Sequence, residues 1–329
     1  MLDDMADAPI EVAPSKYWIE LNRKNLDQLQ NSGYDNFKRT VATNYFTWLL
    51  PLHDPQIRFL LLNLPFGSTI RCILKGITSA RHHTFSWFQS YIYNVLTLLL
   101  WEYVAKLDTE DVFGLLEEPR EGNPPEIRIN ERLISQDLAN SILEFMSIKD
   151  GDVSLRQNDT IVELGAGYGR TAYAFLCLMP GVKYIVADIP PALYICEQYL
   201  SSIFPDRRVF HYRRFASFSE IEDEYNRADI VFLLPHQLEL IPPKTIDLFI
   251  NISSLHEMRL DQITYYFQQI SRLTKGNVYL KQWKISRIPF EGIVISETDY
   301  PIPAEWKIVY WRQCRVQTHF FETVLRTQP

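Results

Sequence analysis

The stretch Thr160-Ile-Val-Glu-Leu-Gly-Ala-Gly-Tyr-Gly169 decides the fold. Its first five residues form a short apolar run, which predicts a buried strand. Three glycines follow at alternate positions, and residues 170–178 have the pattern of a helix. Glycine permits a sharp turn and lets a ligand approach the backbone without a Cβ in the way. A turn that only joins a strand to a helix is the alternative to a ligand-binding loop.

Strands alternate with helices on both sides of this loop. Helices are predicted at Leu133–Phe145 and Ala192–Ile203. Such alternation is typical of a mostly parallel sheet covered by helices on both faces. The last two strands have no helix between them, which indicates an antiparallel edge. The predicted strands are Thr160–Leu164, Lys183–Asp188, Val209–Tyr212, Ile230–Leu234, Asp247–Ser253, Val278–Trp283, Trp306–Arg312 and Phe320–Arg326.

The N-terminal part of the chain has a different character. Residues 15 to 117 are rich in aromatics, and the apolar residues between Phe85 and Tyr103 fall at helical spacing. Glu118 to Pro125 concentrates proline, glycine and charge, which is typical of a linker or exposed loop. We therefore predict a mainly helical substrate or cap domain at residues 1–125 and a cofactor-binding domain at 126–329.

Composition and charge limit the class of function. Of the 329 residues, 47 % are hydrophobic, so the chain can bury a core. Its 33 basic and 40 acidic residues give a net charge of −7. A nucleic-acid partner normally requires a basic face, so no nucleic acid is expected.

The expected compartment follows from the cysteines and from the hydropathy. The four cysteines are scattered without ligand spacing, which predicts no metal site and fits a reducing compartment. The N-terminus lacks the layout of a signal peptide, and no apolar stretch reaches the roughly 20 residues of a membrane span. We expect a cytoplasmic protein, and homo-oligomerisation stays open.

The spacing of the glycines distinguishes between cofactors. Dinucleotide-binding loops have glycines at offsets one, three and six, and Arg170 stands at the sixth place here. Asp188 ends the next strand, where a carboxylate can accept both hydroxyls of a ribose. Since Glu163 to Gly169 contains no basic residue for a phosphate, the pattern favours S-adenosylmethionine (SAM) over NAD.

This loop, together with Asp188, resembles that of the class I SAM-dependent methyltransferases. The resemblance implies an α/β fold with a Rossmann-like seven-stranded methyltransferase sheet, mostly parallel, that ends in an antiparallel C-terminal hairpin. A narrower resemblance is to the bacterial sugar O-methyltransferases, where members often carry glutamine at the position of His256. Besides the loop, it rests on Gly33–Thr40, Ile134–Ser141, Asp188–Pro190 and Asn251–Met258.

The resemblance also implies which residues bind SAM. The glycines would face its methionine part, Asp188 its ribose, and the helix bearing Gln136 would close over it. A plain solvent-facing helix is the alternative for Gln136. The predicted cofactor-binding residues are Glu163, Gly165, Ala166, Gly167, Tyr168, Gly169, Asp188, Ile189, Gln136 and Asn251.

His256 and Glu257 are the candidate catalytic residues. Methyl transfer from a sulfonium is an in-line displacement, so the protein chiefly supplies position. A sugar hydroxyl, however, is a poor nucleophile unless a histidine or carboxylate removes its proton. Both residues follow the predicted strand Asp247–Ser253 and so leave the sheet beside the glycine loop. The alternative for His256 is a structural hydrogen bond.

Three further residues are candidates for binding the acceptor. His236 and Gln237 follow the predicted strand Ile230–Leu234, and His82 precedes the long apolar helix. Aromatic residues either line the acceptor site or build the helical core, since aromatic rings pack on sugar C–H groups. These aromatics are Tyr17, Trp18, Tyr45 and Trp48.

The predicted function is SAM-dependent O-methylation of a sugar that is free, nucleotide-linked or part of a glycan. Methylation of a non-sugar natural product is one alternative. A non-catalytic SAM-binding or scaffold protein is another.

Overall fold

The structure is a computed structural model, and it describes residues 1–45, 54–79, 85–109, 111–288 and 292–327. The helices are α1 (Leu2–Ala6), α2 (Lys16–Ser32), α3 (Ala42–Tyr45), α4 (Pro55–Asn63), α5 (Phe66–Thr78), α6 (Trp87–Leu107), α7 (Val112–Leu115), α8 (Gln136–Asp150), α9 (Arg170–Leu178), α10 (Ala192–Ile203), α11 (Glu222–Arg227) and α12 (Leu260–Leu273). The strands are β1 (Ile127–Ile129), β2 (Arg132–Ile134), β3 (Thr160–Leu164), β4 (Lys183–Ala187), β5 (Val209–Phe210), β6 (Ile230–Leu233), β7 (Ile246–Ile252), β8 (Thr274–Trp283), β9 (Ile285–Ile288), β10 (Ile293–Ser296), β11 (Lys307–Gln313) and β12 (Phe320–Arg326). Short 3₁₀ turns lie at Tyr34–Arg39, Phe218–Glu220, Pro235–Leu240 and Leu255–Glu257.

The chain divides into two compact units. The sheet unit comprises Met1–Asp27, Ile148–Cys314 and His319–Pro329, and the helical unit comprises Gln28–Ser147 and Arg315–Thr318. The division falls within α2 and α8, whereas the expected domain boundary after residue 125 coincides with no unit boundary. The role of residues 1–125 as a substrate or cap domain stays a prediction.

The sheet unit is built on one large sheet of the expected class. Its order is β11-β12-β8-β7-β3-β4-β6-β5. The six strands from β8 to β5 are parallel to their neighbours, and the C-terminal strands β12 and β11 are antiparallel. The α/β fold class expected from the sequence is therefore confirmed.

Within the described residues the sheet contains eight strands, one more than the resemblance implies. The eight strands predicted from hydropathy all form, and the outermost of them, β5, pairs over only two residues with β6. Every residue of β6 is buried, as are four of the five residues in both β3 and β4. These continuous apolar runs are typical of strands that are covered on both faces.

Two hairpins are absent from the sequence-based prediction. The predicted helix at Leu133–Phe145 begins only at Gln136, because Arg132–Ile134 pairs antiparallel with Ile127–Ile129. Asn130 and Glu131 form the turn between them with positive φ angles, the geometry of a tight hairpin. The second hairpin joins β9 to β10.

The predicted linker is a packed part of the helical unit. Glu118 is buried, pairs with the Lys38 ammonium and accepts a hydrogen bond from Ser135 Oγ at 2.6 Å. Gly122 has a φ of 77°, and a Cβ there would collide with the Phe37 ring. The prediction of an exposed loop at Glu118 to Pro125 is therefore wrong, because hydrogen bonds and an ion pair satisfy its polar groups.

No helix in the described ranges is long and apolar enough to cross a membrane.

Replacing Lys38 by methionine should lower the free energy of unfolding by about 3 kcal/mol, because it leaves the Glu118 carboxylate buried without its counterion. Urea unfolding followed by circular dichroism measures this loss. The double variant Lys38→Met/Glu118→Gln should recover part of it, since no charge is then buried. Equal losses in both variants would show that the ion pair is not the cause.

Candidate functional site

The site is centred on the glycine loop at the carboxyl end of β3. Gly165, Gly167 and Gly169 have φ angles of 78°, 61° and 91°, in the left-handed region that favours glycine. A Cβ on Gly165 would collide with the Ser254 side chain, and one on Gly169 would lie 2.6 Å from Cys196 Sγ. A Cβ on Gly167 would meet no atom within 4 Å. Gly167 is therefore the point at which a ligand can approach this backbone.

Asp188 lies against the same loop. It follows β4, is buried, and accepts hydrogen bonds from the backbone N–H of Gly167 at 2.7 Å and of Ile189 at 2.6 Å. Burial raises the pKa of Asp188 to about 7, although the two backbone hydrogen bonds oppose this shift. The structure thus brings together three residues that the sequence assigned to one cofactor site.

The position of β3 in the sheet marks this loop as a ligand crevice. β3 lies between β4 and β7, so the strand order reverses where β3 ends. Open α/β sheets bind ligands outside the carboxyl ends of the strands at such a switch point.

The other residues around the loop have side chains that pack inward. Glu163 is buried and accepts a hydrogen bond from the Tyr184 hydroxyl at 2.8 Å. Ala166 and Tyr168 are also buried, and the Tyr168 ring packs edge-on against Tyr199. These two loop residues therefore offer a ligand their backbone.

Asn251 fixes the turn that carries the candidate catalytic residues. The amide nitrogen of this fully buried side chain donates to the Leu164 carbonyl at 2.8 Å and to Ser254 Oγ at 2.7 Å. The amide oxygen accepts from Gln282 Nε2 at 2.6 Å and from the Leu255 N–H at 3.2 Å. These four bonds use both N–H donors and both oxygen lone pairs of the amide. The side chain therefore has no group left for a ligand, and it affects the site by holding the turn in place.

His256 is held inside the protein. It is 3 % exposed, and its Nδ1 lies 3.0 Å from Gln282 Oε1, so Nδ1 carries the proton and Nε2 is unprotonated. The ring packs beside Trp283 and Phe320. Burial lowers the pKa of His256 to about 4, although the bond to Gln282 opposes the shift. Its Nε2 is 3.8 Å from Glu257 Oε1, too long for a hydrogen bond.

Glu257 is the more exposed and the more basic of the two. Its side chain is 23 % exposed, against 4 % for that of His256. Burial raises the pKa of Glu257 to about 8, and the charge of Asp188 adds to the increase. A hydrogen bond from the Trp18 side chain opposes it. Glu257 is thus an accessible carboxylate with the raised pKa that suits a general base.

The sequence predicts Tyr17 and Trp18 either in the acceptor site or in the helical core, but it gives no sign that their segment contacts the turn of Glu257. Met1–Asp27 belongs to the sheet unit and packs beside the turn of Glu257. Ser15 Oγ donates to the Glu257 carbonyl at 3.3 Å, and Gln262 Nε2 donates to the Ala13 carbonyl at 2.7 Å. These partners lie more than 240 positions apart in the chain, so no local pattern indicates them.

The two predicted acceptor-binding residues after β6 differ in whether their polar side-chain atoms already have hydrogen-bond partners. Gln237 is buried, and its amide accepts from the Leu234 N–H and donates to the Arg213 carbonyl. His236 Nε2 lies 3.6 Å from Asp4 Oδ1, and its buried Nδ1 has no hydrogen-bond partner in the described ranges. Burial lowers the pKa of His236, although Asp4 opposes the shift. His236 therefore keeps a polar atom free for a ligand.

The structure does not test the remaining two predicted residues. Gln136 lies in the helical unit, where its amide donates to Thr97 Oγ1 at 3.2 Å. Its contact with a cofactor stays a prediction. His82 lies outside the described residues.

Comparisons with known proteins yield structural likenesses only. No protein-family model matches the chain, and no curated protein matches it.

Among solved structures, the chain is similar to the YcgJ protein of Bacillus subtilis, with 18 % identity and a TM-score of 0.28 over 43 % of this chain and 50 % of that one. It is similar to an S-adenosylmethionine-dependent methyltransferase of Clostridium acetobutylicum, with 12 % identity and a TM-score of 0.39 over 57 % and 91 %. It is also similar to the mitomycin 7-O-methyltransferase MmcR, with 14 % identity and a TM-score of 0.37 over 85 % and 74 %. At these identities and scores the likenesses carry no inference about activity or substrate.

The raised pKa values of Asp188 and Glu257 predict a pH-dependent stability. Between about pH 5 and 7 the folded protein holds both protons, whereas the unfolded chain has released them. Stability present at low pH is therefore lost as the pH rises through the folded pKa values, by up to about 1.4 kcal/mol per pH unit for each group. Urea unfolding at a series of pH values measures this slope.

Asp188→Asn and Glu257→Gln should each flatten that slope, whereas Asp261→Asn, at an exposed carboxylate, should leave it unchanged. A slope that all three variants share with the native protein would show that neither buried carboxylate titrates in this range.

Proposed function

We propose that this chain is a SAM-dependent O-methyltransferase that acts on a sugar hydroxyl. The observation that carries the proposal is the bond between the Gly167 N–H and Asp188, which joins an open glycine loop to a buried carboxylate at the switch point of the sheet. Ligands bind at this place in open α/β sheets. A carboxylate there has the chemistry to hold a ribose.

The residues present fit SAM. Each oxygen of Asp188 accepts one backbone hydrogen bond and keeps a lone pair, so both can still accept a ribose hydroxyl. Gly167 leaves room for the methionine part. The bound cofactor would supply a methyl group already activated on a sulfonium. A cation at this place also suits the carboxylates of Asp188 and Glu257, because a neighbouring positive charge lowers the pKa of a carboxyl.

Glu257 has the position and the basicity to take the proton of the acceptor hydroxyl. Its raised pKa makes it a stronger base than an ordinary carboxylate, and it is partly exposed. His256 is nearly inaccessible and a weaker base. We therefore assign proton removal to Glu257. His256 orients the turn through its bond to Gln282.

Aromatic groups beside Glu257 support a sugar acceptor. Trp18 and Tyr17 lie on the N-terminal segment next to Glu257. Burial raises the pKa of Tyr17 to about 12, and the charge of Glu257 adds to the increase. Aromatic faces pack on the C–H surface of sugars, so both rings suit a sugar acceptor.

Replacing Asp188 by asparagine should weaken the binding of S-adenosylhomocysteine about 10- to 100-fold, because a charged acceptor for two hydroxyls is lost. Isothermal calorimetry measures the affinity, and Asp261→Asn serves as the control. Tight binding of NADH without binding of S-adenosylhomocysteine would overturn the choice of cofactor.

Glu257→Gln should slow methyl transfer by roughly 10²- to 10⁴-fold and leave S-adenosylhomocysteine binding intact. With the native protein, kcat/KM for the acceptor should rise with pH and level off near the pKa of Glu257 in the SAM-bound form, at or below about 8. Trp18→Phe should move this rise, the limb of the pH profile, to higher pH, because the Glu257 carboxylate loses a hydrogen bond and its pKa increases. A full rate in Glu257→Gln, with the limb lost in His256→Gln instead, would assign the base to His256.

Mass spectrometry after incubation with SAM and a panel of nucleotide sugars and glycans tests the acceptor. One methyl group gained by a defined sugar supports the proposal. Methylation of other small molecules alone would replace the sugar by a different natural product, and binding of SAM without any turnover would favour a non-catalytic SAM-binding protein.

A further inference from the structure

An apolar surface of the helical unit faces solvent. It consists of one side of α4 and one side of α5, and we call it the α4–α5 surface. Phe66 is 79 % exposed and Leu62 is 73 % exposed, although a soluble protein rarely groups such side chains. The large apolar residues of the surface are Leu61, Leu62, Phe66, Ile70, Ile73, Leu74 and Ile77.

This surface is distinct from the face of α5 that packs in the helical unit. Cys72 is buried, and a Cβ on Gly76 would lie 2.5 Å from a methyl group of Val95 on α6. The exposed members of α5 recur at helical spacing on an adjoining side. The helix therefore carries one apolar side for its own unit and a second that remains uncovered.

The charges carried by α4 and α5 themselves have one sign. The segment from Pro55 to Ser79 contains Arg58, Arg71 and Lys75, all exposed, and no acidic residue. The whole chain, by contrast, carries a net charge of −7 and 40 acidic residues. A partner for this segment should therefore be apolar where it meets the side chains and negatively charged around them.

An exposed tryptophan borders the same surface. Trp87 at the start of α6 is 56 % exposed and stacks on Tyr91, whose hydroxyl donates to the Ile73 carbonyl at 3.4 Å. Tryptophan is enriched where a protein meets the interface between lipid and water.

We propose that the α4–α5 surface binds the surface of an anionic lipid bilayer, with α5 lying in the plane of the membrane. Helices that bind in this way combine an apolar side with lysine and arginine on the polar side, as α5 does. A second copy of the chain is a poorer match, because symmetric pairing would bring six cations together and no acid from either Pro55–Ser79 segment. The proposal goes beyond the proposed function and does not depend on it.

Sedimentation of the full chain with lipid vesicles tests the proposal without any activity measurement. Vesicles that contain phosphatidylglycerol should bind the protein, whereas phosphatidylcholine alone should bind it much more weakly. Phe66→Ser/Leu74→Ser should reduce binding more than tenfold, because two inserted apolar side chains are lost. Arg71→Gln/Lys75→Gln should reduce it by roughly fivefold per charge and weaken its dependence on salt.

Matched variants outside the surface serve as controls. Ile285→Ser/Ile308→Ser removes two apolar side chains that are 60 % and 52 % exposed, and Lys24→Gln/Lys307→Gln removes two exposed cations. Both should bind vesicles like the native protein, and unchanged circular dichroism shows that each variant folds. Absence of vesicle binding, or equal losses in surface and control variants, would overturn the proposal. So would self-association in sedimentation velocity that only Phe66→Ser/Leu74→Ser abolishes, because the surface would then pair two copies of the chain.

Discussion

The buried amide of Asn251 is the interaction on which the rest of the site depends. It connects the carbonyl at the end of β3 with Gln282 of β8, and it holds the first residues of the turn that follows β7. Gln282 passes the constraint on, since its Oε1 lies 3.0 Å from His256 Nδ1 and accepts the His256 backbone N–H. One amide thus fixes the glycine loop and the candidate base relative to each other. Its removal would leave several buried polar groups unsatisfied, which is more unfavourable than the loss of one exposed bond.

This rigid frame carries two carboxylates in an environment that resists their charge. Burial raises the pKa of both Asp188 and Glu257, and the charge of Asp188 adds to the increase at Glu257. Such a pair is unfavourable for the folded protein alone and favourable for a cationic ligand. Perturbed carboxylates at the mouth of a sheet are therefore typical of a functional site.

The sequence predicted the sheet well because its central strands β3, β4 and β6 are buried on both faces and their apolar runs are nearly unbroken. The cofactor-binding role of the glycine loop and Asp188 could also be predicted, since the pattern depends only on spacing within about 25 residues. Other features depend on partners that are distant in the chain. Glu118 lies in a segment with the composition of a loop, and its burial is explained by the ion pair with Lys38, 80 positions away, and by the hydrogen bond from Ser135. The same holds for Trp18, because the helical periodicity of its segment does not indicate its hydrogen bond to Glu257.

The contact between the N-terminal segment and α12 also has a consequence for synthesis of the chain. Ala13 and its partner Gln262 are 249 positions apart, and Met5 and Val12 are buried in the finished protein. At 5–20 residues per second, the ribosome needs roughly 10–50 s to make the intervening chain. During that time the N-terminal segment has no α12 to pack against. This segment thus reaches its native contacts late, and the surroundings of Glu257 are completed only after nearly the whole sheet unit exists.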